Sequence, residues 1–185
     1  IQPIDGIVEI AHKAGVAVHS DMVQMLGKRH LDFSGSGLDF ASLSSHKIGG
    51  PTGVGALLVR PGRTMTSLLR GGGQEQGRRS GTENVIGIAG FGAAAKAAFG
   101  DIPHYRKMAG WRDTLEADLL SKRDDVRLFG AGAERIGNTS CLAIGARSSE
   151  TTVMALDLAG VAVSAGAACS SGKVLESHVL KAMKA

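Results

Sequence analysis

The fold prediction for this chain rests on the stretch Ser42-Leu43-Ser44-Ser45-His46-Lys47-Ile48-Gly49-Gly50-Pro51-Thr52-Gly53-Val54-Gly55. The apolar residues 40–43 predict the end of a buried strand, and residues 54–60 predict a second strand. Lys47 lies between them, where an amine that reaches its neutral form can condense with a carbonyl, and the glycines let the backbone approach a bound group. A surface lysine in a flexible turn is the alternative, because most lysines are exposed.

A second group of polar residues follows the short apolar run 16–18, which predicts another buried strand of a parallel sheet, over residues 16–19. Asp21 comes at its end, and Gln24 lies three residues further on. Ligands of open α/β sheets bind beyond the carboxyl ends of the strands. A lysine amine with an aspartate partner for a ring nitrogen is the pair that pyridoxal phosphate requires. The alternative interpretation of Asp21 is an ordinary helix N-cap.

The composition narrows the class of protein. The chain has 185 residues, 43% hydrophobic and 21% charged, which is typical of a globular domain. A net charge of +4 without a basic run, and 4% aromatic residues, argue against nucleic-acid binding. Two cysteines form neither a zinc motif nor a disulfide framework, so a reducing, cytoplasmic location is expected. With no uninterrupted apolar run of membrane length, no membrane span is predicted.

Four segments together resemble the cysteine desulfurases, the NifS/IscS-like group of fold-type I pyridoxal-phosphate enzymes in the class-V aminotransferase family. Two are residues 19–24, His-Ser-Asp-Met-Val-Gln, and residues 44–51, Ser-Ser-His-Lys-Ile-Gly-Gly-Pro. The others are residues 71–84, Gly-Gly-Gly-Gln-Glu-Gln-Gly-Arg-Arg-Ser-Gly-Thr-Glu-Asn, and residues 164–172, Ser-Ala-Gly-Ala-Ala-Cys-Ser-Ser-Gly. Their order and spacing match the family over essentially the whole chain, and together they are highly specific.

The resemblance implies a function and a set of site residues. The expected reaction converts L-cysteine to L-alanine and transfers the sulfur to an enzyme cysteine as a persulfide. Lys47 and Cys169 would be the catalytic residues. Pyridoxal phosphate would be bound by six residues: Asp21, Gln24, Ser44, His46, Lys47 and Thr82. In the family, the residue matching Thr82 contacts the cofactor phosphate of the neighbouring subunit, so a homodimer is expected, with an iron–sulfur scaffold or another acceptor protein as partner.

The resemblance also implies the α/β fold of fold-type I transferases, with a large domain built on a parallel sheet and a smaller α+β domain. We predict that residues 1–101 are part of the large domain and that residues 102–185 form the small domain with the cysteine loop. The boundary is placed at residues 100–103, Gly-Asp-Ile-Pro, which interrupt the helical pattern. Against the family, an N-terminal segment and the extreme C-terminus are expected to be missing from this chain.

Several local interpretations complete the analysis. Thr82 is predicted to cap a helix over residues 83–98, a position where a helix N-terminus and a hydroxyl can also bind phosphate. Residues 28–32, Lys-Arg-His-Leu-Asp, are interpreted as a solvated loop. Cys141 is predicted to be a buried thiol within strand 140–144, and residues 161–164 to form a strand. A selenocysteine lyase, another class-V enzyme or a non-catalytic sulfur carrier remain alternatives.

Overall fold

The computed structural model describes residues 1–166 and 177–183. Helices and strands alternate along its first half, which confirms the predicted α/β fold class. In chain order the elements are α1 (Ile4–Lys13), β1 (His19–Asp21), β2 (Phe40–Ser44), a 3₁₀ turn (Ser45–Ile48), β3 (Gly55–Val59), a second 3₁₀ turn (Gln74–Gly77), α2 (Val85–Lys122), β4 (Val126–Leu128), β5 (Leu142–Ile144), α3 (Ser149–Leu158) and α4 (His178–Ala182).

The first sheet has the order β1-β2-β3. β1 and β2 are parallel, with His19 opposite Phe40 and Asp21 opposite Ser42. β3 is antiparallel to β2, with Phe40 opposite Val59. The antiparallel pair follows from the short connection, because a parallel neighbour would need a crossover of a dozen or more residues. Asp21 therefore ends one of the two parallel strands, and the lysine turn follows the end of the other.

α1 covers one face of this sheet. Its apolar residues recur at helical spacing, and it ends before Gly15, whose φ of +70° favours glycine, as the sequence predicts. The core consists of buried side chains from the helix, the strands and their connections: Val8, Val18, Met22, Leu38 and Ala41. Because side chains alternate along a strand, the residues on either side of Ala41 lie on the opposite face. That opposite face carries the polar residues of the site.

β1 begins three residues later than predicted. Val16 is 55% exposed and precedes the paired residues, which start at His19. Val18 makes other contacts than the regular strand pairing. Its N–H donates to Asp39 Oδ2 at 2.8 Å, and its carbonyl accepts from the N–H groups of Asp39 and Phe40. Asp39 is fully buried and also contacts His12 Nε2 at 3.0 Å and Arg63 Nε at 2.6 Å. The Val18 N–H is the main cause that lowers the pKa of Asp39 to about 2.

The predicted interruption of the helical pattern at residues 100–103 is wrong, because α2 continues through these residues. α2 is one 38-residue helix with Pro103 inside it. Phe91, Ala98 and Ile102 are 9%, 6% and 4% exposed, and their spacing places them on one side of the helix up to the proline. Burial of that side offsets the roughly 3 kcal/mol that an interior proline costs. By length and composition alone α2 could also cross a membrane, a test that apolar helices of water-soluble proteins also pass.

The chain divides into two compact units, residues 1–108 and residues 109–185, so the division falls inside α2. The domain assignment made from the sequence stays a prediction. In the second unit β4 pairs antiparallel with β5, and Ser148 caps α3 by accepting from the Thr151 N–H at 3.2 Å. Two expectations are wrong here. Cys141 is exposed, and residues 161–164 form no strand, since no described residues pair with them.

Glu116 is the buried charge of the second unit, 5% exposed. Arg135 binds it with two hydrogen bonds, Nη1 to Oε1 at 2.7 Å and Nη2 to Oε2 at 2.8 Å, and Ser140 Oγ donates to Oε1 at 2.6 Å. These contacts lower the pKa of Glu116 by more than the desolvation of the carboxylate raises it. The hydrogen bond from Arg135 is the main cause that lowers the pKa of Glu116 from its ordinary 4.5 to about 2.

Acid should therefore destabilise this unit. The pKa of Glu116 is lower in the folded chain than in the unfolded chain, so its stabilisation is complete above about pH 5 and is lost as the pH falls towards 2. Glu116→Gln should lower the free energy of unfolding at pH 7 by about 3 kcal/mol and flatten this pH dependence. Urea unfolding at pH 7 and pH 3 measures both effects. Asp118→Asn, which removes an exposed partner of Lys122 on the same helix, is the control; an equal loss in both variants would contradict the prediction.

Candidate functional site

Polar side chains gather on the sheet face opposite α1, at the carboxyl ends of β1 and β2. His19 and Asp21 lie on this face of β1, and Ser42 and Ser44 on the same face of β2. His19 Nε2 and Ser42 Oγ are 2.7 Å apart and share a hydrogen bond. His19 and Asp21 are exposed, so their polar atoms remain accessible to a ligand. Sequence reasoning did not include His19 among the site residues.

The alternative interpretation of Asp21 as a helix N-cap is wrong, because no helix follows β1 directly. Asp21 Oδ1 accepts from the Val23 N–H at 3.0 Å, which closes a turn directly after β1 rather than a helix. The next residue, Met22, donates its N–H to the Ser42 carbonyl at 3.0 Å and so extends the parallel ladder. The described contacts of Asp21 engage only one of its two oxygens. The carboxylate is therefore fixed in direction and still has an oxygen available for a ligand.

The lysine turn is built as a tight reversal between β2 and β3. The Ser45 N–H donates to the Val54 carbonyl at 3.1 Å, and the Gly50 N–H donates to the Ser45 carbonyl at 3.1 Å. Gly49 has a φ of +79°. A Cβ at Gly50 would meet Ser45 Oγ and would lie 3.0 Å from Ala94 Cβ on α2. The turn is therefore packed against α2, and the backbone on both sides of Lys47 has a defined path.

Lys47 lies in this 3₁₀ turn and is half-buried. It lines a pocket whose other walls come from the turn after β1 and from α2: Leu26, Gly27, Ile48, Gly49, Ala98, Asp101 and Tyr105. Directly before it, Ser44 Oγ and His46 Nδ1 are 2.9 Å apart and share a hydrogen bond. The structure thus brings Lys47 next to the hydroxyl and imidazole that the sequence assigned to phosphate binding.

Gln24 lies in the turn after β1, which also supplies Leu26 and Gly27 to the wall of this pocket. Its Oε1 accepts a hydrogen bond from Lys28 Nζ at 2.6 Å. The positive charge of Lys47 is close enough to contribute to the lowered pKa of Lys28, although burial of Lys28 is the larger cause. Sequence reasoning placed Lys28 in a solvated loop and missed this contact. The spacing of four residues from Gln24, with a glycine just before Lys28, was the available signal.

Thr82 does not have the predicted capping role. α2 begins at Val85, and the cap is Asn84, whose Oδ1 accepts from the Gly87 N–H at 3.1 Å. Thr82 is exposed in the loop before it, and no described contact joins it to the Lys47 site of the same chain. In the same loop Glu75 and Gln76 have φ values of +50° and +57°, which are uncommon outside glycine. The predicted phosphate contact of Thr82 stays a prediction.

Cys169 lies outside the described residues. Its predicted catalytic role stays a prediction from the sequence. The other cysteine, Cys141, is an exposed free thiol next to β5. No group of three or more potential metal ligands occurs within residues 1–166 and 177–183. Among the described residues, the site therefore offers the Lys47 amine, one directed carboxylate, an amide bonded to Lys28, and two hydroxyl–imidazole pairs.

Comparisons with known proteins agree with the resemblance noted from the sequence. A family model described as aminotransferase class-V matches residues 1–184. A cysteine desulfurase from Cereibacter sphaeroides is 45% identical over 182 residues, which are 98% of this chain and 46% of that protein. The cysteine desulfurase NifS from Azotobacter vinelandii is 39% identical over 98% of this chain and 45% of its own length.

The solved structures show the same likeness at the level of the fold. A NifS-like protein from Rickettsia africae ESF-5 has 35% sequence identity to this chain and a TM-score of 0.85. The match covers 100% of this chain and 48% of that structure. The chain thus spans about half the length of the curated relatives and solved structures that it matches.

Proposed function

Because this chain belongs to the aminotransferase class-V family, we propose that it works as part of a pyridoxal-phosphate-dependent cysteine desulfurase. The enzymes of this family depend on pyridoxal phosphate. The proposed reaction converts L-cysteine to L-alanine. Similarity to cysteine desulfurases over 98% of this chain supports the choice of substrate within the family.

The observation that carries this proposal is the position of Asp21 and of the lysine turn at the carboxyl ends of two paired parallel strands. Asp21 is the last residue of β1, and the lysine turn follows β2. Because β1 and β2 are hydrogen-bonded to each other, the sheet fixes the positions of both segments. Pyridoxal phosphate needs an amine for its aldehyde, a carboxylate for its ring nitrogen and hydroxyl or imidazole donors for its phosphate. Lys47, Asp21, Ser44 and His46 supply this set, so the residues present fit the cofactor.

The chain's residues have distinct parts in the proposed reaction. Pyridoxal phosphate, when bound, supplies an electron sink for the amino acid. Asp21 would keep a proton on the ring nitrogen, and Gln24 would donate a hydrogen bond to the ring oxygen. Ser44 and His46 would bind the phosphate. Lys47 would hold the cofactor through its amine, and the same amine, when free, would move protons.

Cys169 completes the proposed reaction. Its thiolate attacks the sulfur of L-cysteine, the carbon–sulfur bond of the substrate breaks, and a sulfur–sulfur bond forms on the enzyme. The substrate carbon takes a proton, so one thiol and L-cysteine give one persulfide and L-alanine without an external oxidant. The small residues around Cys169 in the sequence favour an accessible thiol, which could pass the sulfur to an acceptor.

The proposal extends to the assembly in which the chain works. We expect a cytoplasmic homodimer in which Thr82 faces the cofactor phosphate of the other subunit. The exposed position of Thr82 and the exposed side chains of Val85 and Ile86, 69% and 88%, support a protein contact in this region. The acceptor is proposed to be an iron–sulfur scaffold protein, because the relatives include a NifS desulfurase.

Peptide mapping after reduction tests the function. The complete gene product is incubated with pyridoxal phosphate, reduced with borohydride and mapped by mass spectrometry; a parallel sample receives L-cysteine and is mapped unreduced. We expect a phosphopyridoxyl group on Lys47 and an extra sulfur on Cys169. A cofactor adduct elsewhere, or none, would overturn the cofactor assignment. An extra sulfur on Cys169 without any cofactor binding would favour a non-catalytic sulfur carrier.

A further inference from the structure

We propose that Lys28 is a positioning residue, which holds the side-chain amide of Gln24 with its NH₂ group directed at the cofactor. This inference rests on the proposed function, because Gln24 faces pyridoxal phosphate only if the cofactor binds at Lys47. The supporting contact is the hydrogen bond from Lys28 Nζ to Gln24 Oε1 at 2.6 Å. An amide whose oxygen is engaged in this way presents its NH₂ donors on the other side.

The chain path shows why Lys28 is held in place. The turn after β1 is closed by backbone hydrogen bonds from Met25 and Leu26 to the Met22 carbonyl and from Lys28 to the Met25 carbonyl. Gly27 has a φ of +74°, and a Cβ there would lie 2.7 Å from Ala98 Cβ on α2. The turn therefore reverses in contact with α2, which fixes the Cα of Lys28 relative to that of Gln24.

The hydrogen bond between Lys28 and the exposed Gln24 is open to solvent, so it is the environment of Lys28 itself that favours a role. Lys28 is half-buried, and burial followed by the charge of Lys47 lowers its pKa. Within residues 1–166 and 177–183 it forms no ion pair; its described side-chain partner is the neutral Gln24 oxygen. The only carboxylate on the wall of the Lys47 pocket, among the described residues, is Asp101, and Tyr105 is its other titratable wall residue besides Lys47.

Partial burial of a cation that has no carboxylate partner lowers the stability of the folded chain. On a solvated surface the same lysine would extend its amine into water. Beside an amide that must donate to a ring oxygen, the same cation has two effects. It fixes which end of the amide faces the cofactor, and it polarises the amide so that its N–H groups become better donors.

The first part of the test measures the effect of Lys28 on cofactor binding. Lys28→Met in the complete gene product should weaken pyridoxal-phosphate binding about fivefold, the equivalent of one hydrogen bond. Lys28→Arg, which keeps a charged donor, should restore binding to within about twofold of the unchanged protein. The matched control is Lys13→Met, which removes a lysine bonded over the same four-residue spacing to Glu9 on α1 and should leave binding unchanged.

The second part asks whether Lys28 acts through Gln24. The double variant Lys28→Met/Gln24→Ala should bind the cofactor no more weakly than Gln24→Ala alone. In cofactor-free protein, the acetylation rate of Lys28 should rise about threefold in Gln24→Ala, because the charged amine loses its acceptor, and should fall in Gln24→Glu. Mass spectrometry of the Lys28 peptide gives this rate without any need for bound cofactor.

The outcomes separate the two proposals. Full additivity of the two substitutions, or an acetylation rate unchanged in both Gln24 variants, would overturn the role of Lys28 while leaving the proposed function intact. An unchanged protein that binds no pyridoxal phosphate would overturn the proposed function, and with it the cofactor-facing role of Gln24. In that case the acetylation rates still decide whether Lys28 and Gln24 are in contact.

Discussion

Lys47→Ala should reduce the release of L-alanine from L-cysteine by about 10³-fold or more, the largest loss expected from any residue of the described site. The physical reason is that, in the proposed function, Lys47 would supply both the amine that holds the cofactor and the base that moves protons afterwards. The packed turn around it explains why no other side chain is expected to substitute. Ser45 and Gly50 fix that turn against α2, so it has little freedom to bring in another group.

The experiment compares alanine release in Lys47→Ala, Lys47→Arg and Lys13→Ala. The arginine variant keeps the positive charge but stays protonated at working pH, so it should be as inactive as the alanine variant. Lys13 is an exposed helix residue paired with Glu9, and its replacement should leave the rate unchanged. Substantial activity in Lys47→Arg would mean that the charge of Lys47 matters rather than its amine, which would contradict the proposed role.

The lysine turn could be predicted from the sequence because its information is local. Apolar strands on both sides, two glycines and a proline leave few backbone paths, and β2 and β3 form within a residue of the predicted bounds. The site at the carboxyl ends of β1 and β2 follows from the same pattern, since parallel strands place their ends together. Asp21 and Lys47 could therefore be named as candidate site residues from spacing and residue type, and their roles stay predictions.

The features that the sequence did not predict depend on partners distant in the chain. β1 starts late because Asp39, 21 residues after Val18, takes the Val18 N–H before regular pairing begins. α2 continues through Pro103 because its buried side continues there, which local propensity cannot reveal. Residues 161–164 have strand composition, but a strand exists only where another strand pairs with it.

The contact of Lys28 with Gln24 is another feature that local sequence does not predict. A lysine followed by Arg29 and His30 has the composition of a solvated loop, and nothing local separates one basic residue from the next. Its contact with Gln24 depends on Gly27, which adopts a positive φ and packs against Ala98, 71 residues further along the chain. Sequence motifs identify residues that touch a ligand directly. They do not identify a residue that acts through another side chain.

The second large effect is expected at Cys169. Cys169→Ser should lower the transfer of sulfur to an acceptor, and the steady-state release of L-alanine, by about 10²-fold or more, because a hydroxyl is a far weaker nucleophile than a thiolate towards sulfur. Cofactor binding should remain unchanged, since the cofactor-binding set proposed here does not include Cys169. Steady-state release of alanine and the absorbance of bound pyridoxal phosphate measure the two properties separately.

The chain supplies its own control for this prediction, because Cys141 is its only other cysteine. Cys141 is an exposed thiol, so it is accessible to the same reagents and oxidants as a reactive cysteine. Accessibility alone does not make a sulfur acceptor: the thiol must also reach the substrate at the cofactor. Cys141→Ser should therefore leave sulfur transfer unchanged. Equal losses in the two serine variants would indicate that general thiol chemistry carries the sulfur, and would contradict a dedicated role for Cys169.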